Sequence, residues 1–572
     1  MSLPDDSARN AAPGDAPGRA DLVCFGLLLA TILGLRLFYI FHYAFNSDEA
    51  QELHVAWWWA QGLTPYRDVF DNHTPLFQLL SAPVAALIGE TPRILFDMRL
   101  AVTLCYLATL GGAYILARRI FGRRAGLWTA VLLGLIPTFF FKSLEYRADD
   151  LWMALWVLAL AVLLDGEWTR GRSFAGGLLL GAALGASLKT ALLLAALGGS
   201  ALLLPFLTGE GVRALAPRRV GGRLAALGAG IAVAPTALVG YFAIEGALGS
   251  LLYGTVRHNV VPGLGAWSEA HSRAFYFPPA LLIVAAAARA LLKISLPAGE
   301  KARLALLALT AGIYLASIHL IWPVFTTQDF LPFFPLLAAV LTGLVMTGWE
   351  RLARSAAAGP ARGRPAAWAL TGIALLEIGL MLAWEPPPRD GTQHETRLLD
   401  QVLRLTDPTD YVLDLKGETV FRRRPIYYVM ETITGSLMRQ GDLPDSIPEQ
   451  TIAARTCVTA EGIDRFPERT RRFVEENYVT VGRLRVAGRF LLAQGEGRPI
   501  VFEVTIPARY AIVSEQGRAS GSLDGVPYTE PRFLSAGRHA FVSRSGGGRL
   551  AVVWARAVEK GFSPFTPADR AS

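Results

Sequence analysis

Long apolar runs fill the first two thirds of this sequence and constrain its fold more than any other feature. Segments of roughly 16–22 residues with almost no charged side chains alternate with short arginine-rich connectors as far as Trp384. A helix needs about 20 apolar residues to cross a bilayer, so these runs predict about eleven transmembrane helices in a polytopic membrane protein. The predicted spans are 22–41, 99–117, 125–141, 149–165, 174–188, 190–207, 224–243, 279–292, 304–322, 334–348 and 366–384.

Composition and charge support this interpretation. The chain is 52% hydrophobic and 18% charged, whereas soluble domains carry about 25% charged residues. Its net charge of +8 would suit a nucleic-acid partner in a soluble protein, but the arginines gather in alternate connectors, which is the pattern of cytoplasmic loops. We therefore expect a lipid bilayer and no nucleic acid as a partner, with the N-terminus inside and the C-terminal third outside. The three cysteines allow no disulfide framework and no cysteine metal cluster.

The predicted organisation has four parts. Residues 1–20 form a disordered cytoplasmic N-terminus, and residues 21–385 form the transmembrane domain, with a large first outer loop at 42–98. After a triple proline, residues 386–499 alternate helical and β-like patterns and predict an extracytoplasmic α/β region. Residues 500–572 predict a small β-sandwich on the same side. In the tail, helices are expected at Glu395–Leu405 and Arg465–Asn477, and β-structure at Tyr411–Leu415, Tyr478–Val481, Ile500–Ser514, Arg532–Ser543 and Arg549–Val558.

The first outer loop carries the most informative motif. Asn46 and Glu49 have capping-box spacing, which predicts a helix that begins directly after the first span. Carboxylates at a helix N-terminus are favourable through the helix dipole alone, which is the structural alternative for Asp48 and Glu49. However, an acidic pair at the membrane surface costs desolvation energy that a simple cap avoids. Asp48 and Glu49 are therefore candidate catalytic residues.

Further charged and polar side chains lie in segments predicted to face the same side. Lys189 sits between two apolar runs, and Arg257 lies in the fourth outer loop, so both are candidates to bind a phosphate. The structural alternatives are interfacial salt bridges and a lysine that reaches the bilayer surface. Candidate pocket residues in these segments are Tyr66, Asp68, His73, Glu145, Asp149 and Asp150, together with Arg147 as a third phosphate ligand.

Taken in order, four of these motifs resemble the GT-C glycosyltransferases of the dolichyl-phosphate-mannose protein mannosyltransferase and aminoarabinose transferase type. They are Asp48-Glu49, the stretch from Tyr66-Arg67-Asp68 to His73-Thr74-Pro75-Leu76, Glu145-Tyr146-Arg147-Ala148-Asp149, and Leu188-Lys189. The resemblance covers roughly residues 22–350.

This resemblance implies a membrane enzyme that passes a monosaccharide from a polyprenyl-phosphate carrier to an acceptor hydroxyl on a lipid, glycan or protein, with inversion. Asp48 falls at the position of the proposed base, and Lys189 and Arg147 fall where basic residues bind the carrier phosphate. The sequence departs from the family pattern at Thr74 and Thr190, and its stretch Gln328–Pro332 lacks the arginine of the family's late outer loop.

Elementary chemistry agrees with these roles. A carboxylate next to the attacking hydroxyl supplies general-base catalysis worth about 10² to 10⁴ in rate. Fixed cations stabilise the negative charge that accumulates on the leaving phosphate. We expect no essential cofactor and no essential metal. The carboxylates of Asp48, Glu49, Asp149 and Asp150 offer oxygen ligands for a divalent cation, but their spacing does not require one.

Two other functions are alternatives for such a sequence. A transporter or flippase of a glycolipid would carry charges near the middle of the bilayer and internal repeats, whereas the polar groups here collect on one predicted side. A non-catalytic scaffold would bind glycan through its tail, with Tyr510, Tyr528 and Trp554 as candidate sugar platforms. We favour the glycosyltransferase, in a bacterial inner membrane with the C-terminal region in the periplasm.

Overall fold

The computed structural model describes residues 17–211, 217–265, 273, 275–355, 364–492, 498–544 and 548–565. The chain divides into two compact units. The helical unit contains residues 1–44, 72–80 and 96–391, and the C-terminal unit contains residues 45–71, 81–95 and 392–572. Most of the predicted disordered segment 1–20 lies outside the described residues, and the first helix begins at Arg19.

Helices account for most of the chain before residue 385. In chain order they are α1 (Arg19–Ile40), α2 (Ser47–Ala60), α3 (Leu76–Ile88), α4 (Ile94–Phe121), α5 (Arg123–Leu135), α6 (Pro137–Lys142), α7 (Ala148–Leu164), α8 (Arg170–Ala186), α9 (Thr190–Thr208), α10 (Pro217–Ile244), α11 (Leu248–Leu252), α12 (Phe277–Leu291), α13 (Ala298–Leu320), α14 (Phe334–Ser355) and α15 (Arg364–Trp384). Each predicted span falls on one of these helices, apart from the third. That span is divided between α5 and α6, because Pro137 has no N–H to continue the helix.

Five helices are long and apolar enough to cross a bilayer, judged by length and composition. They are α1, α4, α9, the part of α10 from Val220, and α13. Shorter apolar helices occur at Leu76–Ile88, Phe277–Leu291, Phe334–Trp349 and Trp368–Trp384. The number of spans, predicted as about eleven, therefore stays a prediction.

Glycines allow α8 and α10 to pack with their backbones in contact. A Cβ atom on Gly181 would collide with the carbonyl oxygen of Ile231, and one on Gly230 would collide with the carbonyl oxygen of Phe174. Small residues at such crossings are typical of helices that associate in membranes, where close van der Waals packing drives association.

The C-terminal unit contains two sheets. Its strands are β1 (Val412–Leu413), β2 (Val458–Ala460), β3 (Tyr478–Val481), β4 (Leu484–Leu491), β5 (Pro499–Val504), β6 (Ala508–Ser514), β7 (Gly517–Arg518), β8 (Gly521–Leu523), β9 (Val526–Tyr528), β10 (Arg532–Leu534), β11 (Gly537–Ser543) and β12 (Leu550–Trp554). The larger sheet has the order β1-β2-β4-β12-β6-β10, with β3 also paired to β4 and β7 to β6, and the smaller sheet has the order β5-β11-β8-β9. Strands β1 and β2 are parallel, whereas the other pairs are antiparallel.

Helices flank these strands in the tail. They are α16 (Gln393–Leu405), α17 (Thr432–Gln440), α18 (Ile447–Ala453), α19 (Glu468–Asn477) and α20 (Ala555–Glu559). The two helices predicted from the tail pattern correspond to α16 and α19. The β-structure predicted over Arg549–Val558 is wrong in its second half, because the chain turns into α20 directly after Trp554.

One hydrophobic core joins the two predicted segments of the tail. Strand β4 pairs with β12, and Val402, Val486, Ile512 and Val552 belong to the same buried cluster. The packing therefore shows no division at residue 500. The β-sandwich stays a prediction.

Parts of the predicted first outer loop pack with the tail. In the C-terminal unit, the ring of Trp57 meets that of Phe421 edge to face at 4.9 Å. Glu90 accepts a hydrogen bond of 2.9 Å from the Arg422 guanidinium, which is buried. These contacts explain why residues 45–71 and 81–95 belong to the C-terminal unit. The prediction that placed them in the transmembrane domain is therefore wrong for these two segments.

Candidate active site

The N-terminus of α2 carries the two candidate catalytic carboxylates. Asn46 caps this helix: its side-chain oxygen accepts a hydrogen bond from the Asp48 N–H at 3.0 Å, and Glu49 Oε1 accepts one from the Asn46 N–H at 2.8 Å. The predicted capping box is therefore confirmed. Glu49 is fully buried and its carboxylate serves the cap, so Asp48 is the better placed of the two to act as a base.

Asp48 forms an ion pair with Lys416, a residue that the sequence analysis did not single out. The Lys416 ammonium donates to Asp48 Oδ1 and lies 3.4 Å from Ser47 Oγ. Lys416 is only 5% exposed, whereas the Asp48 side chain is 23% exposed. A buried cation thus holds a carboxylate that is itself partly exposed.

The turn that carries Lys416 is fixed by a buried carboxylate. Asp414 accepts hydrogen bonds from the N–H groups of Gly417 and Thr419 at 2.8 and 2.9 Å, and from Arg424 Nε at 2.7 Å. Burial alone would raise the pKa of Asp414, but the charge of Arg424 and the hydrogen bonds from Thr419 outweigh it and lower the pKa. Asp414 is therefore a charged anchor that sets the position of Lys416.

Helix α2 packs directly against this turn. Gly417 has φ +93°, and a Cβ atom there would lie 2.8 Å from the His54 side chain. His54 Nδ1 lies 2.8 Å from the Val420 carbonyl oxygen, which is an acceptor, so Nδ1 carries the proton. Burial lowers the pKa of His54 to about 4, and the imidazole is neutral at pH 7.

The candidate pocket residues Tyr66 and Asp68 belong to a tight turn in the same unit. Tyr66 is buried with φ +65°, a strained value for a residue with a side chain. Its N–H donates to the Val69 carbonyl at 2.7 Å, and its own carbonyl accepts from the Tyr427 hydroxyl. Hydrogen bonds from Arg67 at 3.0 and 2.9 Å hold the pKa of Asp68 below its usual range.

The helical unit brings together several of the other candidates. Arg147 Nε donates to Asp149 Oδ2 at 3.0 Å, and both side chains are buried. Lys189 donates to Asp329 Oδ1 and is close enough to Asp149 to interact with it electrostatically, as is His73. Arg147, Lys189, Asp149 and His73 thus form one polar cluster, in which Arg147 and Asp149 are buried and Lys189 and His73 are partly exposed.

Asp329 is the residue of this cluster that sequence reasoning missed. It is fully buried in a 3₁₀ turn, where its Oδ2 accepts a hydrogen bond from the Thr326 N–H at 2.7 Å. It belongs to the stretch that lacks the family's arginine. No local sequence pattern connects this carboxylate with Lys189, its partner 140 residues away.

Glu145 and Asp150 lie beside this cluster with different partners. Glu145 is buried and accepts hydrogen bonds from Lys142 at 2.6 Å and from Gln328 at 2.8 Å. Asp150 is fully buried and interacts electrostatically with Arg36. These contacts favour structural roles for both carboxylates.

Arg257 is exposed at the end of a π-helical turn that follows α11. It forms no ion pair with any residue that the structure describes. Asp48 belongs to the C-terminal unit, whereas Arg147 and Lys189 belong to the helical unit, so the convergence of these three side chains stays a prediction.

Within the described ranges, no group of three or more His, Cys, Asp and Glu side chains is arranged to hold a metal ion. The expectation of no essential metal stays a prediction.

Comparison with known proteins gives a family match and a fold. Residues 72–241 match the family model of dolichyl-phosphate-mannose-protein mannosyltransferase. No curated protein matches the chain by sequence. The crystal structure of ArnT from Cupriavidus metallidurans in the apo state aligns with a TM-score of 0.52 and 16% identity, over 82% of this chain and 98% of that one.

A second structure of that protein, bound to undecaprenyl phosphate, aligns with a TM-score of 0.51, 16% identity and the same coverage. At this level of identity the likeness concerns the fold. The matched residues 72–241 include the cluster residues His73, Arg147, Asp149 and Lys189.

Proposed function

We propose that the chain is a membrane glycosyltransferase of the GT-C superfamily, which moves a monosaccharide from a polyprenyl-phosphate-linked donor to an acceptor hydroxyl. The family match over residues 72–241 and the fold shared with ArnT support this proposal. The acceptor is a lipid, a glycan or a protein. The transfer takes place at the outer side of a bacterial inner membrane, where the C-terminal region is periplasmic. The undecaprenyl phosphate in the ArnT structure supports a carrier of this chemical class.

The observation that carries this proposal is the cluster of Arg147, Lys189 and Asp149, in which Arg147 is buried and the Lys189 side chain is 24% exposed. Two neighbouring cations that are largely removed from water are costly to desolvate, and binding of a polyanion between them offsets this cost. Asp149 pairs with Arg147, and Asp329 pairs with Lys189. The donor phosphate then competes for the same cations.

In the reaction, Asp48 accepts the proton of the acceptor hydroxyl as its oxygen attacks the anomeric carbon. The bond from that carbon to the phosphate oxygen breaks, and its electron pair leaves with the carrier phosphate. Lys189 and Arg147 stabilise this growing negative charge more strongly than the diester of the ground state. A single displacement by an external hydroxyl inverts the anomeric configuration.

Lys416 contributes by keeping Asp48 ionised. The ammonium favours the carboxylate over the carboxylic acid through charge and hydrogen bonding. When Asp48 takes the proton of the acceptor hydroxyl, its negative charge is lost and the ion pair weakens. The Lys416 ammonium can then donate a hydrogen bond to another oxygen atom.

The experiment that tests the function incubates the full-length protein in detergent with a panel of polyprenyl-phosphate sugars and measures release of the free carrier phosphate. The variant Asp48→Asn removes the base at constant size, and we expect release to fall by about 10² to 10⁴. Asp400→Asn is the matched control, because Asp400 lies exposed on α16. Equal release by Asp48→Asn and the native protein would refute the role of Asp48, and no release from any donor would refute the function.

A further inference from the structure

A cavity in the C-terminal unit lies beside the residue that holds Asp48. Its volume is about 590 Å³, within the range of small-molecule sites. Its walls come from α2, from the Tyr66 turn and from residues 411–450, and Lys416 is one of the lining residues. Since Lys416 contacts Asp48, a ligand in this cavity reaches the neighbourhood of the proposed base.

The charged side chains that line the cavity are mostly basic: Arg67, Lys416, Arg423 and Arg424 line it with a single acid, Asp68. Arg67 pairs with Asp68, Lys416 with Asp48, and Arg424 with Asp414. Arg423 differs from the other three.

Among the described residues Arg423 makes no ion pair at hydrogen-bond distance; it interacts with Asp68 through charge at longer range, and it lies over the ring of Trp58 at 5.5 Å from the centroid. A guanidinium stacked on an indole keeps its donors directed outward for an anion. The other three cations already donate hydrogen bonds to carboxylates. Arg423 is therefore the cation of this cavity that is best placed to donate hydrogen bonds to a ligand.

Aromatic rings provide the second property of the cavity. Trp58, Phe70 and Tyr427 line it, and the Phe70 and Tyr427 rings meet edge to face at 5.3 Å. Trp58 is buried, and its indole N–H has no acceptor among the described residues. Flat apolar rings beside polar donors suit the apolar face and hydroxyl edge of a sugar ring.

From this combination we propose that the cavity binds an anionic carbohydrate, the headgroup of the acceptor, with Arg423 on its phosphate or carboxylate and Trp58 against its ring. The proposal rests on the proposed function, because it assigns the acceptor's place beside Asp48. In the complex, the reacting hydroxyl lies at the Lys416 end of the cavity and the anionic group at the Arg423 end.

Calorimetric titration of the full-length protein in detergent tests this proposal without turnover. The probes are glucose 6-phosphate, glucuronate, glucose and inorganic phosphate. We expect at least one anionic sugar to bind about tenfold or more tightly than glucose or inorganic phosphate, since one charge-assisted contact is worth roughly that factor. Comparison of glucose 6-phosphate with glucuronate identifies whether the anion is a phosphate or a carboxylate.

Variants then locate the site. Arg423→Gln should weaken binding of the anionic sugar about tenfold, whereas Arg509→Gln should leave it unchanged, because Arg509 is exposed on β6 and pairs with Glu559. Trp58→Phe keeps a ring but removes the N–H, and should weaken the anionic sugar and glucose by the same factor.

Equal affinity for glucose and the anionic sugars, no binding of any probe, or undiminished binding by Arg423→Gln would each overturn the proposal. Binding requires no donor and carrier release requires no probe, so failure here is distinguishable from failure of the proposed function.

Discussion

Substitution of Lys416 by methionine tests the link between the C-terminal turn and the proposed base. Methionine has a similar length and no charge, so Lys416→Met removes the ion pair with Asp48 and leaves much of the packing intact. The acid limb of the rate profile for carrier release should then move to higher pH, because Asp48 binds a proton more readily without the cation.

The magnitude follows from burial of the two partners. Asp48 is 23% exposed at its side chain, so water partly replaces the lost cation. Removal of one partner of a buried pair costs about 3–5 kcal/mol. Access of solvent to Asp48 reduces the expected loss of unfolding free energy to about 1–2 kcal/mol.

The assay records carrier release between pH 5 and 9 for the native protein, Lys416→Met and Lys560→Met. Lys560 is exposed after α20 and serves as the control. A uniform loss of rate at every pH would mean that Lys416 acts only through stability, and an unchanged profile would refute its contact with the base.

Further predictions concern the cluster, the helix packing and one buried acid. Lys189→Met should lower carrier release by 10² or more because a fixed cation at the leaving phosphate is lost, whereas Lys293→Met, at an exposed lysine, should not. Gly181→Ala should lower the unfolding temperature and cost about 1–3 kcal/mol of unfolding free energy, because the new Cβ atom collides with the Ile231 carbonyl oxygen. In the control Gly198→Ala the new Cβ atom has no neighbour within 4 Å, so the unfolding temperature should not fall. Burial and the nearby Asp414 raise the pKa of Glu418 to about 7, so its protonated form favours the folded state. Stability from this group is complete below the ordinary carboxyl pKa and is lost as the pH rises through 7. Glu418→Gln should therefore flatten the thermal-unfolding profile between pH 5 and 8, and an unchanged slope would contradict this.

Features of this fold that depend on local pattern were predictable from the sequence. The apolar runs located most helices of the first 384 residues, although not α3 or α11, because burial in lipid demands long uncharged segments. The start of α2 was predictable because Asn46 and Glu49 satisfy each other across one helical turn. The break between α5 and α6 was also predictable from Pro137. The apolar run 125–141 was nevertheless predicted as one helix, because its length suits a single span.

Long-range pairs were not predictable in the same way. Lys416 and Asp48 are 368 residues apart, and Lys189 and Asp329 are 140 apart. A single sequence contains no periodicity that connects such residues, so neither pairing partner was identified. The pairing of β4 with β12 was not predictable for the same reason. The sequence composition changes near residue 500, which predicted two regions in the tail, but one hydrophobic core extends across this position.

The Asp414 turn has a consequence for protein engineering. A chain shortened to its membrane helices would strip α2 of the turn that packs on His54 and of the ammonium beside Asp48. Chimeras that exchange the tail between relatives must therefore include both α2 and the turn that contacts it. Otherwise Asp48 and Lys416 in the hybrid will come from different proteins and will not be matched to each other.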